Sequence, residues 1–123
     1  SFSLPCISAI AASDMVFVPI KPGAFEMSGM RLLADQIASV RSTGLACRAV
    51  YGLLTIWHNA DATRQSEEWL REHSPIPLFA QKIRRTDKVT ESTYAAQPVT
   101  RWSPTSAAAR DYRAWVEEIM EGL

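Results

Sequence analysis

The sequence predicts an α/β fold, a parallel sheet of βαβ units with helices on both faces, and three observations predict it. Met15–Ile20 (MVFVPI) and the C-terminal part of 46–56 (ACRAVYGLLTI) are continuous apolar runs, not alternating ones. A strand buried on both faces of a parallel sheet requires that pattern. Between them, Met30, Leu33, Ile37 and Val40 recur at helical steps, with Arg31, Asp35, Gln36 and Arg41 on the other side. Strand and helix alternate with crossovers of about 20 to 30 residues, which implies right-handed βαβ connections.

Each element follows from local chemistry. Residues 3–13 (SLPCISAIAAS) read as a short helix, with Pro5 in the first turn and Ile7, Ile10 and Ala11 on one face. Pro19 lacks a ladder donor and belongs near the end of its strand. Pro22-Gly23 marks a loop, the pattern over 24–43 is helical, and Gly44 suits a left-handed cap. Residues 59–73 form a helix capped by Asn59 or Asp61 and stopped by Pro75. A third strand is expected over 76–83, centred on Leu78-Phe79, then a helix over 86–96 capped by Thr86. The last helix is capped by Ser103 with Pro104 in its first turn. Its apolar stripe is Ala108, Tyr112, Trp115, Val116, Ile119 and Met120, and Gly122 follows. No repeat or linker divides the chain, so residues 1–123 read as one module. Three strands are few beside a usual sheet of about 5–6. Such a module is expected to be incomplete or completed by a partner chain, and its unpaired edge to drive oligomerisation.

The 123 residues hold 13 basic and 13 acidic side chains, 47% hydrophobic and 21% charged residues, a globular composition that argues against disorder. Zero net charge excludes a whole-molecule basic field, so nucleic-acid binding would need a local patch. Cys6 and Cys47 lack CxxC spacing and read as reduced core thiols. With no long apolar span and no basic lead-in, neither a membrane nor a signal peptide is expected, and the location is expected to be cytoplasmic. The chain opens at Ser1 directly on a helical segment, as a processed or truncated protein would.

Catalytic signatures are missing. None of the glycines at 23, 29, 44, 52 and 122 precedes a lysine, so there is no Walker A, and there is no GxGxxG or GxSxG. His58 and His73 lack metal-ligand spacing. The pairs Glu67-Glu68 and Glu117-Glu118 read as solvated charges. No catalytic or metal-binding residue is assigned.

The informative stretch is IRRTDK at 83–88. Lys82, Arg84, Arg85 and Lys88 crowd a strand end and a helix start, where the dipole favours anions over cations. Two readings stay open: a solvated polar edge, or cations that hold phosphate together with the helix amides. Arg64, in NADATRQ, falls on the same expected sheet edge, and Arg101-Trp102 adds a third basic and aromatic element.

Seven runs in order resemble the second half of the ParA/MinD-type deviant Walker ATPases, ParA more closely than MinD. They are Ser8-Ala9 through Ala12-Ser13-Asp14 with MVFVPI, Glu26 to Met30, Gly52-Leu53-Leu54-Thr55 (similar to GvLLT), and Asp61 to Arg64. IRRTDKVTES from Ile83 is similar to IPRnvrlsEA, with Arg84 where the family has proline; Gln97-Pro98-Val99 is similar to KPI. Ser103-Pro104, Ala108-Ala109, Tyr112 and Glu117-Glu118-Ile119 resemble the terminal DPxSxgAxxYxxLaxEi.

The resemblance implies a partial P-loop NTPase fold and the C-terminal portion of an ATPase for plasmid partition or chromosome segregation. ATP and Mg2+ would bind between two protomers of the full-length protein, with no cofactor bound by this chain alone. The dimer would bind DNA nonspecifically, and a ParB-like partner would stimulate hydrolysis. It further implies that Arg64, Arg85 and Lys88 contact DNA phosphates, and that Thr55, Ile83 and Arg84 wall the nucleotide-base pocket. The alternatives are a non-enzymatic dimerising or interaction module, and a relative that positions division or conjugation machinery.

Overall fold

The computed structural model describes residues 3–23, 27–42 and 49–122. Its order is α1 (Leu4–Ala12), β1 (Met15–Ile20), α2 (Met27–Arg41), β2 (Ala49–Leu54), α3 (Asp61–His73), α4 (Asp87–Tyr94), α5 (Val99–Trp102) and α6 (Ala107–Gly122). The two strands are parallel, in register from Met15 opposite Ala49 to Ile20 opposite Leu54. Gly44 and Cys47 lie outside the described residues.

Continuous apolar strands imply cover on both sides, and the core divides that way. Val16, Val18, Ile20, Val50 and Leu54 pack with Met30, Leu33 and Ile37 of α2 and Leu70 of α3. On the other face, Phe17, Tyr51 and Leu53 pack with Phe79 and with Ala108, Tyr112, Trp115 and Ile119 of α6. Alternate side chains of one strand thus serve two cores. The second core is aromatic: Phe79, 1% exposed, stacks on Tyr51 at 5.1 Å and meets Phe17 and Trp115 edge-on at 5.2 and 5.6 Å.

The third strand is corrected. Residues 76–84 run beside β2 and the residues that follow it in the expected parallel direction, but only as bridges of Leu78 to Gly52 and of Arg84 to Trp57. Phe79 N–H donates to Gly52 O and Ile83 N–H to Leu54 O, so four steps along this segment match two along β2. The extra residues bulge outward. Glu118 accepts the freed Ala80 and Gln81 N–H groups at 2.8 and 2.9 Å. From the other side, Arg71 donates to the Phe79 and Ala80 carbonyls at 3.0 and 3.2 Å. Glu67 accepts from Arg71 and Lys82, both at 2.9 Å. Neither Glu67 nor Glu118 is a solvated charge.

The starts of α3 and α6 differ from expectation, and that of α4 does not. Ser3 caps α1 by accepting Cys6 N–H, and Thr86 caps α4 by accepting Lys88 N–H. The N-cap of α3 is Ala60, with no side-chain cap bond, because the Asn59 and Asp61 oxygens are taken by Arg64. Ser103 closes α5 by donating its N–H to Val99 O. Ser106 caps the later start of α6, its Oγ accepting Ala109 N–H at 3.3 Å. Along the expected stripes, Ile7, Val116 and Met120 are exposed.

Candidate functional site

Parallel α/β sheets place ligands beyond the carboxyl ends of their strands. There the chain forms a cavity of about 230 Å3 from three sources: Thr55 and Ile56 after β2, the segment from Ile83 into the first turn of α4, and Tyr112 of α6. Thr55 is held by its N–H donating to Ile20 O at 2.9 Å, and Trp57 by its N–H donating to Ile83 O at 3.0 Å. Between these pins Ile56 has φ +54° and an exposed side chain. A β-branched residue in that region stores about 1–3 kcal/mol of strain.

Arg84 and Asp111 fix the opposite wall. Asp111 is 6% exposed and accepts from Arg84 N–H at 2.9 Å, Nε at 2.9 Å and Nη2 at 3.0 Å. Hydrogen bonding to Asp111, aided by its charge against a smaller opposing effect of burial, raises the Arg84 guanidinium above its ordinary range. The guanidinium therefore stays charged, and a fork of two bonds holds its plane in one orientation.

Thr55, Ile83 and Arg84 thus line one cavity, and Arg85 lines it too. Arg85 N–H donates to Trp57 O at 2.7 Å. Lys88 stands in the first turn of α4 and pairs with Glu91 at 3.3 Å. Arg64 lies apart, in the first turn of α3, bonded to Asn59 and Asp61. Lys82 points away into the bulge network, 4.0 Å above the Trp57 ring. Arg101 and Trp102 are exposed on α5 and do not line the cavity.

Sequence reasoning missed Asp111, Tyr112 as a cavity residue, and Ile56. Asp111 left one signal: it lies three residues after Ala108 and four before Trp115, on the buried stripe, and a charge there demands a partner. Ile56 left none, because an αL isoleucine looks like any other isoleucine in a sequence.

No family model matches the chain. It is 28% identical over 123 residues to Soj, a chromosome-partitioning ATPase of Thermus thermophilus, covering 98% of this chain and 49% of Soj. It is 24% identical to PomZ, a cell division protein of Myxococcus xanthus, covering all of this chain and 39% of PomZ. An uncharacterized protein of Mycobacterium tuberculosis is 28% identical, again over 39% of its own length. Among solved structures, the septum site-determining protein MinD of Pyrococcus horikoshii, complexed with Mg-ADP, superposes with a TM-score of 0.72 at 17% identity, over 98% of this chain and 47% of MinD. The chain spans between two fifths and one half of the length of these proteins.

Proposed function

We propose that this chain, a ParA/MinD relative in sequence and in fold, serves as the base-binding and DNA-facing C-terminal portion of a partitioning ATPase. The observation that carries the reading is the cavity at the carboxyl end of the sheet, with Thr55, Ile83 and Arg84 on its walls. Its volume lies below the roughly 300–1,000 Å3 of drug-sized pockets, so it suits one flat ring system and not a whole nucleotide. Phosphates and Mg2+ would be held elsewhere in the ATPase. The described residues include no group of three His, Cys, Asp or Glu side chains able to hold a metal ion.

In the same reading Arg85, Lys88 and Arg64 face DNA phosphates. The expected assay is affinity for a labelled duplex across a salt series, in the full-length ATP-bound protein. Each alanine replacement should lower the slope of log affinity against log salt by up to about one, the loss of one full phosphate contact. The change should be largest for Arg85, because Lys88 and Arg64 already pair with Glu91 and Asp61. Three unchanged slopes would refute the DNA-facing role. A homodimer and a ParB-like stimulating partner belong to this proposal as well.

The alternative of a dimerising module draws support from a second place. An apolar groove follows β1 between α1 and α2, lined by Cys6, Ile10, Val16, Val18, Leu33 and Ile37. A parallel sheet edge beside such a groove invites another chain. Light scattering of the chain at high concentration tests this alternative, since a monomer excludes it.

A further inference from the structure

Among the described residues, two other than glycine have a positive φ, Ile56 at +54° and Ala96 at +55°. The place of Ala96 explains its conformation. It follows Ala95, the C-cap of α4, and its N–H donates to Thr93 O at 3.1 Å while the Gln97 N–H donates to Ser92 O at 3.0 Å. Those two bonds commonly close a helix through a left-handed residue. Ile56 ends no helix, and it is β-branched, the kind of residue this region suits least. What the conformation does there is redirect a side chain. Val50 and Leu54 pack toward α2 and α3, and strand alternation would carry Ile56 to the same face. Ile56 instead lines the cavity with Tyr112, whose side chain packs on the opposite face of the sheet. Such strain persists only where the surroundings over-determine it, as the bonds of Thr55 to Ile20 and of Trp57 to Ile83 do on either side. Once turned out, the Ile56 side chain is 48% exposed, whereas Ile83 on the same wall is 3% exposed. An exposed isoleucine is ordinary on a surface. One carried off its core face by a strained backbone, onto a cavity wall, is not.

We infer that Ile56 is the ring-packing residue of the base site: its left-handed backbone carries an apolar side chain out of the core to lie against the face of an adenine ring. This deepens the base-binding reading above and rests on it. A flat aromatic face laid on a branched aliphatic side chain gains by covering apolar surface and needs no hydrogen bond. The polar edge of the ring is left to other groups on the wall, Arg84 as a donor and Asp87, Thr86 and Thr90 as acceptors. A 6-amino group therefore finds acceptors in the same cavity. Packing on a ring face is tolerant of which base is present, so Ile56 supplies affinity and the plane of the ring rather than a choice among bases.

The test titrates adenosine, with ribose as the control, into the chain labelled with 15N and with 13C at the isoleucine δ1 methyl groups. Adenosine should move the Ile56 methyl signal upfield, because a proton over the face of an aromatic ring is shielded, and ribose should leave it in place. Ile56→Asn puts in a residue at ease at positive φ and removes the apolar branch. Its Kd for adenosine should rise roughly tenfold, the loss of about half an isoleucine's burial, while its urea midpoint stays level or rises. Ile56→Val keeps the β-branch and removes one methylene, so its Kd should rise about threefold at an unchanged midpoint. Four results overturn the inference and leave base binding standing. They are a methyl signal that stays or moves downfield with adenosine, one that ribose moves as well, a Kd unchanged in both variants, and a midpoint that falls along with the weaker Kd. Amides of Thr55, Arg85, Thr86 and Asp87 that do not respond to adenosine overturn base binding itself.

Discussion

The segment after α3 makes the same two-bond backbone bridge at two places, at Gly52 of β2 and at Trp57 beyond its end, but what surrounds the two bridges is opposite. At Gly52 the contact is packing. Gly52 N–H donates to Pro77 O at 2.8 Å and Phe79 N–H to Gly52 O at 2.9 Å, with no side chain between the backbones. A Cβ on Gly52 would lie 2.5 Å from Leu78 Cδ2 and 2.8 Å from Ile20 Cδ1. At Trp57 the backbones are bridged in the same way, Trp57 N–H donating to Ile83 O at 3.0 Å and Arg85 N–H to Trp57 O at 2.7 Å, and what is added is an ion pair. Trp57 and Arg84 bridge beside a strained Ile56, and the ion pair of Arg84 with Asp111 holds the segment to α6. Close packing leaves no room for a ligand. The ionic clamp fixes the backbone while keeping space above it, and that is where the cavity lies.

Breaking the clamp should have the largest effect. Arg84→Ala leaves the Asp111 carboxylate without its cation; a fully buried pair loses about 3–5 kcal/mol, and because Arg84 is half exposed solvent screening lowers the expected loss to about 2–3 kcal/mol. The reverse change, Asp111→Ala, should cost less, because Arg84 is half exposed and water can take over its solvation. Urea denaturation of both variants checks the order. A larger loss for Asp111→Ala would show that the bond from the Arg84 N–H, which Arg84→Ala keeps, holds the segment more than the cation does.

Gly52→Ala sharpens the other side of the comparison. The added methyl group overlaps two core side chains that are not free ends on a surface, and overpacking of this kind costs about 1–3 kcal/mol. Stability should fall while the amide signals of Arg85 and Thr86 stay in place, since the clamp is untouched. Movement of those signals would mean that the two contacts are one cooperative unit.

How far each contact was legible follows from its range along the chain. Met15–Ile20 rests on a continuous apolar run and the Thr86 cap on a few residues of capping chemistry, while the parallel direction rests on crossovers of about 20 to 30 residues, and the structure has all three. The expected strand at 76–83 fails for a reason no local pattern holds: the amides of its bulge are accepted by Glu118, 37 and 38 residues away. Ser103-Pro104 reads like a helix start, but Ser103 is used to end α5. For the cavity, Thr55, Ile83 and Arg84 were within reach only through the family resemblance, because the runs that carry it include them. Asp111 was not, because its partner is 27 residues distant.

The smallest effect concerns the bulge between the two contacts. Burial alone pushes the Glu67 carboxyl up, but the hydrogen bonds from Lys82 and Arg71, with their charges, outweigh burial and hold it below its ordinary value. A carboxylate lowered on folding adds stability that is fully present above its unfolded value, about 4.3 for glutamate. That stability is lost as pH falls through the folded value. Glu67→Gln removes it at every pH, so the stability gap between the parent and the variant should be constant near neutrality and close in acid. Denaturation curves from pH 7 downward measure that gap. A gap that stays constant or widens below pH 4 would mean that Glu67 acts by shape and not by charge, and would leave Glu118 and the Arg71 donors alone to hold the bulge.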